Sequence, residues 1–425
     1  MRVLVAMLGA RRRYIVPAVM EELGVLAYFV TDVFVGKRRL LPAILRLVGR
    51  VLNINGLRSL ADRSSARIPI DRTVAFHWLG MRYAIDRRFS NVDAGLFASV
   101  NRRFCLRAIP YLNAVDICWA YNGAAQELFE AARAANIRCV LEQVIAPRND
   151  ERREINLAAQ NWPDWRTSVE QPTAVALDSL SLREQEEWRL ADVIVAGSHY
   201  VKDCLERAGV SKNRCVVVPS GIDLEQFRVG NEARNTGSLR VLFVGHVNLR
   251  KGAPYLLEAV RRLNSSHLEV KLIGSIQARQ ESIREFAQWA TFSGPVPASD
   301  IVSHYHWADI LVVPSVCEGS AMVTYEARSC GVPIVATPNA GAAFSPGVDG
   351  LEIPVRDSDA IAAVLDRLAR NRGELRRLRE GAIANRHALG RDAYRERIRR
   401  VLETVTGTVS THAGSDPMAT AAVRV

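Results

Sequence analysis

The sequence predicts two doubly wound α/β domains in tandem, and three observations carry that prediction. The chain has 425 residues, so two or three domains are expected. Short apolar runs alternate with helical patterns through both halves. A polar, glycine-bearing stretch at 229–238 separates the two series, and a new strand pattern starts directly after it.

The apolar runs at 2–8, 137–141, 193–196, 215–218, 241–244, 270–273, 310–313 and 333–336 suit strands buried on both faces. Helical patterns at 124–135, 201–208, 255–263 and 360–368 lie between several of them. Such alternation implies parallel sheets covered by helices. The expected boundaries are a first domain over 1–229, a linker at 230–238 and a second domain over 239–390. A terminal helix over 391–405 is expected to return to the first domain. The tail 406–425, rich in Thr, Ser, Gly and Ala without periodicity, is expected to be disordered.

With 48% hydrophobic and 24% charged residues the chain can build packed cores. It lacks the roughly 18–20 uninterrupted apolar residues of a membrane-spanning helix. The apolar opening meets Gly9 and then Arg11-Arg12-Arg13 with no small-residue cleavage site, which reads as a first strand rather than a signal peptide. A cytoplasmic location is expected. Seven scattered cysteines without a CxxC pair argue against a disulfide framework and a zinc site. His304-x-His306 has no Cys or carboxylate cluster beside it, and no metal is expected.

The net charge of +11 is concentrated: residues 37–107 hold fifteen Lys/Arg against four Asp/Glu. An anionic partner follows, either a membrane surface, a phosphorylated acceptor or nucleic acid. Helix-turn-helix, RNA-binding and zinc-finger signatures are absent, so nucleic acid is not expected. Apolar positions 41, 44, 45, 48, 51 and 52 form one helical stripe, with Arg46 and Arg50 off it. That pattern suits a helix lying on an anionic membrane, and equally a surface helix packed on the N-terminal core.

The densest chemistry lies at 312–327. A buried strand ends at Pro314, so the following residues occupy the carboxyl edge of a sheet, where open α/β sheets bind ligands. Ser320 is expected to cap a helix over 321–330 that Gly331 and Pro333 stop. Backbone amides near Ser320, Ala321 and Met322, with the helix dipole, make a seat for a diphosphate. Glu318 precedes the helix and Glu326 lies within it, one carboxylate for a sugar and the other for ribose hydroxyls. A second strand-to-glycine turn holds Gly245, His246, Arg250, Lys251 and Gly252, where a lysine can neutralise a departing diphosphate.

These stretches resemble family 4 glycosyltransferases of the GT-B fold, built from two Rossmann-like domains facing a central cleft. The resemblance rests on Glu318-x7-Glu326 with 330–337 behind it, on Gly245 with Lys251-Gly252, on 197–200, and on 218–223. It implies a retaining, metal-independent hexosyltransferase without a cofactor. A nucleoside-diphosphate sugar would serve as co-substrate, and a glycan, lipid-linked or small-molecule compound as acceptor. By the same resemblance Lys251 contacts the diphosphate, Glu318 the transferred sugar and Glu326 the ribose. Gly319, Ser320, Ala321, Met322 and Val323 bind sugar and phosphate through backbone, while Gly274-Ser275 and Val296-Pro297 line the nucleobase pocket. Gly9 and Arg11 match the loop that approaches donor and acceptor. Two departures stand out. His246 replaces the arginine that many members pair with the lysine, with Arg250 as a substitute. No N-terminal catalytic histidine is evident either, which leaves Tyr121, Asn122 and Glu142 as acceptor-side candidates. A GT-B nucleotide-sugar epimerase and a non-catalytic nucleotide-sugar-binding protein are the competing readings.

Overall fold

A computed structural model describes residues 1–36, 63–89, 94–166, 174–230 and 237–407. The stripe at 41–52, most of the linker and nearly all of the tail lie outside the described residues, as does part of the basic segment 37–107.

Two all-parallel sheets form the frame. The first has strands β1 (Val3–Met7), β2 (Leu26–Thr31), β3 (Thr73–Ala75), β4 (Ile117–Tyr121), β5 (Arg138–Gln143), β6 (Val193–Ala196) and β7 (Cys215–Val217), ordered β3-β2-β1-β4-β5-β6-β7. The second has β8 (Leu239–Val244), β9 (Leu268–Ile273), β10 (Thr291–Phe292), β11 (Ile310–Val313), β12 (Ile334–Ala336) and β13 (Gly350–Glu352), ordered β10-β9-β8-β11-β12-β13. Each order doubles back at its first strand, which opens a crevice at the carboxyl edge there. β1, β4 and β11 are fully buried, as apolar runs between two helical layers should be.

Strands β2, β3, β4, β10 and β13 are absent from the sequence-based reading, for identifiable reasons. β2 includes Tyr28 and Thr31, and β3, β10 and β13 are two or three residues long. β4, Ile-Cys-Trp-Ala-Tyr, is as long as β1 but has a single branched aliphatic residue.

The helix Arg391–Thr406 follows the second sheet in sequence but packs in the first domain. Its Tyr394, Ile398, Val401, Leu402 and Val405 share a core cluster with Val3, Val5, Val16 and Trp119. The domains are joined by backbone as well: Ile222 N–H donates to Leu389 O at 2.9 Å. Both carboxyl edges meet. Gly197, after β6, lies against Ser320, and Val144, after β5, lies against Gly319.

Candidate active site at the interdomain cleft

Glycine packing brings the loops after β8, β9 and β11 together. Gly245 and Gly274 have φ of 146° and 142°, and a Cβ on Gly274 would stand 1.9 Å from Gly245 O. Gly252, at φ 70°, sits so close to the end of β11 that a Cβ would meet Pro314 O at 1.8 Å. A side chain at Gly252 would force apart the loops carrying Lys251 and Glu318. Lys251 N–H donates to Asn248 Oδ1 at 2.9 Å, and Val316 N–H donates to Arg250 O at 2.9 Å.

Three sequence-predicted residues converge there. Lys251 Nζ lies 2.6 Å, and Arg250 Nη1 2.7 Å, from the same Glu318 Oε1. Burial by itself raises a carboxyl pKa, but the two cations outweigh it and hold Glu318 below the usual carboxylate range. Burial, with Arg250 close by, lowers Lys251. Arg250 also lies 3.8 Å from Glu151, whose carboxyl burial pushes up. His246 shares a 2.6 Å hydrogen bond between Nδ1 and Ser275 Oγ. Burial, then Lys251 and Arg250, lower its pKa, which favours a neutral imidazole.

The helix after Glu318 differs from expectation at its start. It spans Met322–Ser329, with Ala321 at the N-cap position and no side-chain cap. Ser320 Oγ instead shares a 2.8 Å hydrogen bond with the Tyr325 hydroxyl, so the serine is turned away from the helix amides. Ala321 N–H is also occupied, donating to Ala340 O at 3.1 Å. The first amides without a partner inside the helix are therefore those of Met322 and Val323, not Ser320 and Ala321, within the 320–322 stretch expected to seat a diphosphate. Gly319 has no room for a side chain: a Cβ would lie 1.8 Å from Val144 O. Its carbonyl accepts the Ser198 hydroxyl at 2.5 Å, a bond from one domain to the other.

Glu326 does not join the Glu318 cluster. It accepts the Tyr305 hydroxyl at 2.6 Å, and burial raises its carboxyl despite that bond and a nearby Arg13. Val296 packs with Ile273 and Tyr305, and Gly274 N–H donates to Gly294 O at 2.9 Å.

On the acceptor side, Gly9 N–H donates to Asp32 Oδ1 at 3.0 Å. Arg11 stacks over Tyr121 at 5.8 Å. Tyr121 itself is buried beside Glu142. Asn122 is spent internally, its Oδ1 accepting Val144 N–H at 3.2 Å and its amide facing Glu184. Glu142 is likewise engaged: Trp119 Nε1 donates to its Oε2 at 3.0 Å, and Arg12 Nη1 lies 3.0 Å from its Oε1. These two hold the scaffold and present no unengaged carboxylate or amide to an acceptor.

The sequence reading passed over Arg12 and Arg13. Arg12, Arg13 and Tyr14 are consecutive non-glycine residues at positive φ, of 46°, 51° and 61°. Strain of this kind persists only where surroundings enforce it, and it gathers at functional sites. The turn sends Arg12 to Glu142 and Gly197, and Arg13 Nη1 to Gln226 at 2.9 Å. The signal was three basic residues directly after the glycine that ends the first strand.

Residues 238–371 match the model of "Glycosyl transferases group 1". Over that stretch the second domain is similar to glycosyl transferases group 1. The chain is 31% identical over 262 residues to a D-inositol 3-phosphate glycosyltransferase of Thermomonospora curvata, covering 54% of this chain and 60% of that protein. An enzyme of the same description from Geodermatophilus obscurus is 32% identical over 207 residues, covering 42% and 46%. The chain thus matches about half the length of these curated relatives.

The solved structures extend the likeness to the whole fold. Sucrose-phosphate synthase from Thermosynechococcus elongatus superposes with a TM-score of 0.67 at 15% identity, over 96% of this chain and all of that one. Anabaena HepE in complex with UDP-glucose gives 0.61 at 15% identity, over 95% and 100%. The architecture is GT-B, with the group 1 domain as its second half.

Proposed function

We propose that this chain is a retaining, metal-independent glycosyltransferase that moves a sugar from a nucleoside-diphosphate sugar to an acceptor held against the N-terminal domain. The observation that carries the reading is the Lys251–Glu318–Arg250 cluster, set at the carboxyl edge of the group 1 domain one residue from the contact with Val144. The names of the relatives, and the UDP and UDP-glucose in the HepE complexes, support a nucleotide-sugar donor.

The roles follow from charge. A diphosphate reaching the Met322 and Val323 amides competes with Glu318 for Lys251, because both are anions and one ammonium serves them. Lys251 then neutralises the charge that grows on the leaving diphosphate. Glu318 stays anionic with Arg250 and faces the sugar, whose ring becomes positive as the glycosidic bond breaks. Glu326, set by Tyr305, takes the ribose. These cations supply what a metal would supply, and the chemistry needs no cofactor beyond the co-substrate. Among the described residues no helix is long and apolar enough to cross a membrane. A cytoplasmic enzyme peripheral to the inner membrane face fits this reading and the basic segment.

The test is a thermal-shift screen with UDP-, GDP-, ADP- and dTDP-sugars, since a ligand bound only by the folded state raises Tm. One nucleotide should raise it, and Lys251→Ala should erase the rise. No shift with any of them, in a folded sample, would refute the donor site. Product analysis with donor alone separates transfer from epimerisation.

A further inference from the structure

The helix His77–Phe89 carries a surface that sugar transfer does not use. One side is anchored: Leu79 is buried and Tyr83 packs on the N-terminal core. Between them, a Cβ on Gly80 would come within 2.4 Å of Val33, so that side is pressed onto the loop after β2. The other side is bare. Trp78 is 80% exposed, Met81 46% and Ile85 57%, and spacings of three and four place them in one row. Ile70, shortly before β3, is 54% exposed, and Leu106, on the companion helix Ala94–Ala108, is 47% exposed. An indole and several aliphatic chains left in water on one helix pair mark an interaction surface.

The charges around this face select its partner. Arg82 stands in the same row and lies 3.6 Å from Asp86, while the companion helix exposes Arg102, Arg103 and Arg107. Arg102 lies 3.8 Å from Glu127. Among the described residues the acidic groups here are Asp71 and Asp86, with Glu127 on the neighbouring helix, while residues 37–107 hold fifteen Lys/Arg against four Asp/Glu. A row of Trp, Met and Ile among arginines matches an anionic bilayer interface, where apolar chains enter and guanidinium groups meet phosphate.

Position gives the docking a purpose. Gly80 abuts Asp32 and Val33, just beyond the end of β2, and Asn101 Nδ2 donates to Gly123 O, just beyond β4, at 2.8 Å. Gly80 and Asn101 therefore hold the two helices at the level of the sheet's carboxyl edge, which faces the cleft. A membrane against Trp78 and Ile85 borders the acceptor side of the cleft.

We propose that the face formed by Trp78, Met81 and Ile85, with the arginines of the same helix pair, seats the protein on an anionic lipid bilayer and delivers a lipid-anchored acceptor to the cleft. The second clause rests on the transferase reading; the docking does not. The full chain is mixed with vesicles of phosphatidylcholine, with or without phosphatidylglycerol, and sedimented. Binding to the anionic vesicles is expected, weakening with salt. The double variant Trp78→Ser/Ile85→Ser should lower partitioning at least about tenfold, and Arg103→Glu/Arg107→Glu should do so on anionic vesicles alone. Circular dichroism and the nucleotide-induced Tm shift, read on the same samples, should match the parent. Absence of vesicle binding by the parent overturns the proposal, as does equal binding by folded Trp78→Ser/Ile85→Ser. A concentration-dependent dimer that the same double variant abolishes overturns it in favour of a second copy. Vesicle binding without a nucleotide shift would leave the docking standing and remove the transferase.

Discussion

Replacing Lys251 by alanine tests the donor site directly. In the ligand-free protein the change removes one of two cations from Glu318 Oε1, and Arg250 remains 2.7 Å away. The carboxylate keeps a partner, so the loss of stability should fall below the roughly 3–5 kcal/mol of a buried pair broken outright. Donor binding suffers more, because no second ammonium stands ready for the diphosphate. A hydrogen bond to a charged group contributes about 1.5–3 kcal/mol, or roughly ten- to hundred-fold in affinity and in kcat/KM. Calorimetric titration with the nucleotide found by the screen gives the affinity, and circular dichroism confirms the fold. Lys251→Arg should recover part of the loss, since the charge returns in another shape. A folded Lys251→Ala with parental nucleotide affinity and turnover would refute the reasoning, whatever the acceptor.

Two further outcomes follow from the geometry. Gly319→Ala puts a methyl group where only 1.8 Å separates it from Val144 O, so the domains must part and the Ser198 bond must stretch or break. Turnover should fall at least about tenfold with nucleotide affinity nearly kept, and small-angle scattering should report a wider cleft. Burial pushes the Glu187 carboxyl up to about 7, even though it accepts Gly123 N–H at 2.6 Å and Ala125 N–H at 2.9 Å. Between its unfolded value near 4.5 and its folded value, the folded chain holds a proton that the unfolded chain has lost. Stability should therefore decline as pH rises through that window, by up to roughly 3 kcal/mol. Glu187→Gln should flatten this slope in denaturant titrations, and an unchanged slope would assign the pH dependence elsewhere.

How much of this was legible beforehand depended on the distance over which each feature is encoded. The aliphatic runs within β1, β6, β8 and β11 were readable because burial on both faces leaves a local mark. The two- and three-residue strands were not, since neighbouring strands, rather than their own pattern, hold them in the sheet. Glu318, Lys251 and Gly252 could be picked out because glycine turns between strand and helix are local. The convergence of Lys251 and Arg250 on one oxygen could not, because Glu318 is some 67 residues further along. Ser320 shows the opposite failure: its local pattern suggested a cap, and the nearby Tyr325 hydroxyl took its oxygen instead.

From sequence alone come the two-domain α/β plan, the placing of the candidate donor-site residues in the second half, and the concentration of positive charge near the N-terminus. These are properties of composition and short-range pattern, which survive without knowledge of what touches what. Tertiary structure alone decided that Glu142 and Asn122 are internal struts, that Arg12 pairs with Glu142, and that Gly319 is pinned between Ser198 and Val144. It also turned Trp78 and Ile85 outward, because Leu79 and Gly80 claim the other side of their helix. Such outcomes depend on which surfaces compete for the same space, and no single stretch of chain holds that information.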